Sequence, residues 1–204
     1  MAGKLIVIFV EGETEKEFYN ALIQYYKAQS SNKLREFKVI NLGGINRFET
    51  KMALKLQNEI LVKHNPKDVE VVCCYDTDVF EFAKRPPVNW TKVKSRVADL
   101  GISELTQVMA SRMIEDWFLA DLPGICKFLK IKEVKKADGK DGNDKMIKLF
   151  KKGSKLYIKG TPTSKFIPSL NMETIRKHAA SQLSPLEKLL HVSLAEKGKQ
   201  KKKK

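Results

Sequence analysis

Four short apolar runs punctuate the first half of this chain, and the stretches between them carry apolar residues every three or four positions. The first run, KLIVIFV (4–10), is continuous rather than alternating, as in a strand buried on both faces. It runs into Glu-Gly-Glu-Thr-Glu, after which Phe18, Leu22, Tyr25 and Tyr26 fall on one side of a helix predicted from Glu13 to about Lys27. FKVINLGG (37–44) predicts a second strand closing on a glycine turn. Residues 47–64 predict a helix through Phe48, Met52, Leu56, Ile60 and Leu61. VEVVCCYDTD (69–78) is a third buried strand, again ending on acids. The double proline in 79–101 predicts a loop before a helix around Trp90–Leu100. LTQVMAS (105–111) predicts a fourth strand, and 112–129 a helix directly after it. Strands alternating with helices predict an α/β, Rossmann-like fold with a central, mainly parallel four-stranded sheet flanked by helices.

Past residue 130 the pattern changes. ADGKDGND (137–144) reads as loop, DKMIKLFKK (144–152) as a short helix, 153–170 as an irregular basic stretch and 171–194 as helical. The expected organisation is an α/β core over 1–129, a basic, mostly helical carboxyl-terminal lobe over 130–195 packed on it, and a disordered Lys-rich tail over 196–204. A chain of 204 residues, 42% apolar and 31% charged, suffices for one good core. No apolar run nears the roughly 20 residues of a membrane helix, and the amino end lacks a secretory cleavage pattern. Cys73 and Cys74 sit side by side in an apolar run and Cys126 lies apart, a usage that suits buried thiols in a cytoplasmic setting.

The formal net charge is +15, of which the six Lys and one Glu of 196–204 supply +5, leaving +10 for the body. A body this basic makes nucleic acid the first partner to consider, since Lys and Arg bind phosphates with release of condensed counterions. Against that balance, acids collect where the strands end: Glu11 after the first, Asp76 and Asp78 after the third, Glu115 and Asp116 after the fourth. In open α/β sheets function gathers outside the carboxyl ends of the strands. Carboxylates brought together there raise one another's pKa, and Mg²⁺ or Mn²⁺ is the hard cation that relieves them. Gly12 permits the tight turn that aims Glu11 over the sheet edge. Residues two apart in a strand point the same way, so Asp76 and Asp78 are expected to reach one ion. The plainer readings stand beside these: Asp and Thr open loops, and Glu13 and Glu17 favour a helix amino terminus. Gly43-Gly44 is a turn before it is a phosphate seat. His64, His178 and His191 show no zinc spacing, and Trp117 and Phe118 read as core.

VEGETE after one apolar strand and YDTD after another resemble the TOPRIM domain of topoisomerases, primases and small nucleases. The second acid four residues after the first, and ASRMIEDWFLAD (110–121), are similar to the overcoming-lysogenization-defect (OLD) nuclease branch. The resemblance covers about residues 4–121. It implies Glu11 as principal metal ligand and general acid/base, Glu15 in the place of a helix acid that is commonly Asp, Asp76 and Asp78 as ligands, and Ser111 and Glu115 at a second ion. It also implies a late lysine. Lys165 is the preferred catalytic candidate, Lys155 and Lys159 are its rivals, and all three are candidate nucleic-acid contacts. The implied activity is Mg²⁺- or Mn²⁺-dependent hydrolysis of DNA or RNA, in a phage-defence setting with an ABC-type ATPase partner. A homodimer is among the assemblies this allows. The alternative is a catalytically weak TOPRIM-like binding or sensing module that regulates an ATPase. Primase-like nucleotidyl transfer ranks lower, for want of a nucleotide-binding loop or zinc element.

Overall fold

The computed structural model of the protein describes residues 4–163 and 165–194; the tail expected to be disordered, 196–204, lies outside the described residues. Strands β1 (Leu5–Val10), β2 (Phe37–Asn41), β3 (Val69–Asp76) and β4 (Leu105–Ala110) form one sheet in the order β2-β1-β3-β4. All three pairings are parallel. Every residue of β1 and β3 is buried, so β1 reads as an unbroken apolar run and β3 as one interrupted only by Glu70, which pairs with Arg35 at 3.0 Å, before it closes on Asp76. Burying each such side chain contributes about 1.5–3 kcal/mol.

Helix α1 (Glu13–Gln29) follows β1. Where one helix was predicted over 47–64, the chain makes three short pieces: α2 (Arg47–Thr50), α3 (Met52–Lys55) and a π turn, Leu56–Ile60. Lys51, at φ −114°, divides the first two. Their apolar residues still face the sheet, so the periodicity was real although the hydrogen-bond ladder is interrupted. Helix α4 (Asp78–Phe82) occupies the start of the predicted loop, and α5 (Trp90–Asp99) begins where Asn89 accepts the Lys92 N–H at 3.1 Å. After β4 come α6 (Ile114–Phe118) and α7 (Leu122–Leu129), the latter capped by Asp121, which accepts the Gly124 N–H. The remaining helices are α8 (Gly142–Lys152), α9 (Phe166–Ser169), α10 (Met172–His178) and α11 (Ala180–Leu190). Asp141 caps α8 and Asn171 caps α10.

The two sheet faces have separate cores. Leu5, Val7, Phe9, Val71 and Cys73 pack against Phe48, Met52 and Leu56 and against Val93 and Val97 of α5. Ile6, Ile8, Val10, Val72 and Cys74 pack against α1, Trp117, Phe118, Ile125 and the later helices, through Met146, Phe166, Ile175, Leu183 and Leu190. The helices after residue 130 therefore cover the same sheet face as α1. All three cysteines are buried, free thiols. Among the described residues no helix is long and apolar enough to cross a membrane.

Candidate functional site

The chain leaves β1 toward β2 on one side and returns to β3 on the other, so the sheet reverses its order between β1 and β3. The crevice at the carboxyl ends of such neighbours is where open α/β sheets bind ligands. Glu11 stands at the end of β1 and Asp76 is the last residue of β3. The two meet directly: Glu11 Oε1 accepts the backbone N–H of Asp76 at 2.8 Å. The carbonyl of Glu11 is held from the other side by the N–H groups of Gly43 and Gly44, at 2.9 and 2.8 Å.

Asp78 does not continue the strand, contrary to the two-apart expectation. The N–H groups of Thr77 and Asp78 both turn to the Arg112 carbonyl, at 2.9 Å each, and the Arg112 N–H donates to Thr77 Oγ1. This clasp ends the β3–β4 ladder and starts α4 at Asp78, with Arg112 itself at a left-handed φ of 64°. Asp78 thus reaches the crevice from a helix start, more exposed than Asp76. The Asp76 carboxylate accepts the Ile114 N–H at 2.9 Å, which ties the head of α6 to the end of β3. One residue on, Glu115 is fully buried.

The fourth wall comes from the irregular stretch between α8 and α9. There Tyr157 donates its hydroxyl to Glu115 Oε1 at 2.8 Å, and Lys159 donates to Asp76 Oδ2 at 2.6 Å. The same ammonium lies 3.8 Å from Glu115 Oε2 and 3.9 Å from Asp78 Oδ2. This strap is stitched to α1: Gly160 accepts the Glu13 N–H, Thr161 accepts the Thr14 hydroxyl, and the Thr163 N–H donates to Glu17. A Cβ on Gly12 would stand 2.9 Å from the Gly160 Cα and 2.8 Å from Glu15 Oε2, so the strap closes on the helix only because Gly12 has no side chain. Between strap and sheet edge opens a cavity of about 290 Å³ with Gly12, Gly43, Gly44 and Gly160 in its walls and Glu11, Glu15 and Lys159 facing it.

Four of these acids hold their protons more tightly than usual. Burial lifts Glu11 from 4.5 to about 7; the Asp76 N–H pulls it back and Glu15 adds to the rise. Burial likewise raises Glu15, Asp76 and Glu115, with Lys159 opposing the shift in each case. Burial alone would lower Lys159, but Asp76, Glu115 and Asp78 outweigh it and hold the ammonium protonated well above the usual lysine range. Two carboxylate oxygens, Glu15 Oε2 and Glu115 Oε2, are buried with no hydrogen-bond partner among the described residues.

No family model and no curated protein matches this chain. Two solved structures of the C-terminal region of the OLD protein of Xanthomonas campestris pv. campestris, phased with iodine and with platinum, are similar to it. Both are 16% identical to it; the alignments cover 88% and 89% of this chain and 97% and 96% of theirs, at TM-scores of 0.36 and 0.37.

The structure brings Glu11, Glu15, Asp76, Asp78 and Glu115 to one crevice. Ser111 is exposed at the turn after β4. Of the three candidate lysines, Lys159 alone among the described residues pairs with these acids. Lys165 is exposed just before α9, and Lys155 lies over the Phe128 ring, 5.5 Å from its centroid. Asp116 is half-buried against the start of α8, where a Cβ on Gly142 would meet its Oδ1 at 2.8 Å. Tyr157, Thr77 and Arg112 had no signal of their own in the sequence. Among the described residues no three His, Cys, Asp or Glu side chains form a ready-made metal cage. In donor chemistry the acids do fit a hard cation: every ligand atom on offer is a carboxylate oxygen, and two buried ones accept no hydrogen bond among the described residues.

Proposed function

We propose that this crevice hydrolyses phosphodiester bonds of nucleic acid with the help of Mg²⁺ or Mn²⁺. The observation that carries the reading is the convergence, at the switch point of the sheet, of Asp76, Asp78 and Glu115 on the Lys159 ammonium, with Glu11 and Glu15 facing the same crevice and two buried carboxylate oxygens accepting no hydrogen bond among the described residues. Asp76, Asp78, Glu15 and Glu115 would hold the cation, together with Glu11. When bound, it supplies Lewis acidity toward a phosphoryl oxygen and neutralises charge there. Glu11, at about 7, is poised to take or give a proton at neutral pH, as a general acid or base must be. Lys159 keeps its proton and offers a positive charge to the phosphate as negative charge develops on it. The four glycines around the 290 Å³ cavity let a phosphate backbone approach closely. The sequence likeness to the OLD nuclease branch supports the same reading.

Incubation with plasmid, single-stranded DNA and tRNA in Mn²⁺ tests it. Cleavage is expected from the wild type, none in EDTA, and a loss of about a hundredfold or more in Asp76→Ala/Asp78→Ala. Equal cleavage by both proteins overturns the proposal. One observation favours a second reading, a sensing module without hydrolysis: the Lys159 ammonium already lies among the acids. On that reading Mn²⁺ leaves the melting temperature unchanged, whereas an ion-binding site raises it by mass action.

A further inference from the structure

The strap that carries Lys159 has two sides. Tyr157 and Lys159 turn inward to the acids, while Leu156 and Ile158 turn outward and are 77% and 52% exposed. Leu156 is the most exposed large apolar side chain among the described residues. Single exposed apolar side chains are ordinary. These two, however, wall a cleft of about 440 Å³ with Phe128, Phe150 and Pro162, and Lys155 lies at its rim. The volume falls in the roughly 300–1,000 Å³ of small-molecule sites.

We propose that this cleft takes an unpaired nucleobase of the bound strand, which directs the protein to single-stranded or frayed nucleic acid. The proposal rests on the phosphodiester reading above. Continuity with that site argues for this occupant. Ile158 and Lys159 are consecutive, with Cα atoms about 3.8 Å apart, so the cleft and the carboxylates lie on opposite sides of one short piece of chain. Charge argues for it too. Those carboxylates that are ionised repel a phosphate backbone, and Lys159 offsets only part of that repulsion. Lys155, which lies over the Phe128 ring, adds a cation beside the cleft, and a base packed on Leu156 and Ile158 contributes binding that phosphate charge does not oppose. A base in a duplex has both faces stacked and cannot enter. Thr161 and Thr163, also in the cleft wall, donate their hydroxyls to the Ile158 carbonyl and to Glu17, which leaves the two oxygens as acceptors for base edges.

The test is fluorescence anisotropy in EDTA with three labelled probes of about twelve nucleotides: a single strand, a blunt duplex, and a strand of abasic sites. The wild type should bind the single strand about tenfold or more tighter than either other probe. Leu156→Ala/Ile158→Ala, which leaves the core untouched, should bind the single strand no better than the abasic one. Equal wild-type affinity for intact and abasic strands, no binding at all, or an undiminished preference in the double variant overturns the proposal. Base-dependent binding without Mn²⁺-dependent cleavage supports the cleft and refutes hydrolysis; cleavage without base dependence does the reverse.

Discussion

Glu11 and Lys159 show how burial gives ordinary side chains unusual behaviour. In the unfolded chain Glu11 titrates near 4.5, and in the folded protein at about 7. Between those values the native state keeps a proton that the unfolded state releases. The stabilising contribution is therefore complete below the lower value and lost as pH rises through the upper one. The melting temperature of metal-free wild type should fall between about pH 5 and about pH 8, and Glu11→Gln should remove part of that fall. Lys159→Ala strands the acids without their ammonium and should cost about 3 kcal/mol or more, read as a lower melting temperature that Mn²⁺ restores further than it raises the wild type. The acids were legible because each marks the end of an apolar run. Lys159 was not: in KLYIKGTPTSK three lysines look alike, and what selects one is the packing of the strap on α1 through Thr14 and Thr161.

At the level of elements, the seam between the strap and α1 fixes the geometry of the crevice. Gly12→Ala would drive a methyl into the Gly160 backbone, where no side-chain rotation gives relief. A cost of about 1–3 kcal/mol is expected, or several degrees in melting temperature, together with weaker Mn²⁺ binding because Lys159 and Glu15 move with the seam. Tyr157→Phe leaves Glu115 Oε1 buried without its donor and should cost about 1–3 kcal/mol. The two central strands, β1 and β3, were plain in the sequence because burial on both faces favours a run of apolar residues. The breaks in the stretch after β2, and the helix beginning at Asp78, were not. Apolar spacing reports which side faces the core, whereas the Thr77–Arg112 clasp joins turns 35 residues apart.

Across the whole molecule, the helices after residue 130 complete the core on one sheet face rather than forming a core of their own. A chain ending at residue 129 would uncover Val108 and Ala110 of β4, on which α11 packs, and the side of α1 that α9 and α10 cover, and is expected to aggregate, whereas the full chain should unfold in one transition by both circular dichroism and fluorescence. Adjacent strand residues face opposite ways, so Cys73 lies in one layer and Cys74 in the other, and both are shielded from solvent. Nature has thereby left a reporter inside each half of the sandwich. Under timed alkylation, mass spectrometry of the two neighbouring thiols would show which side of the sheet lets solvent in first.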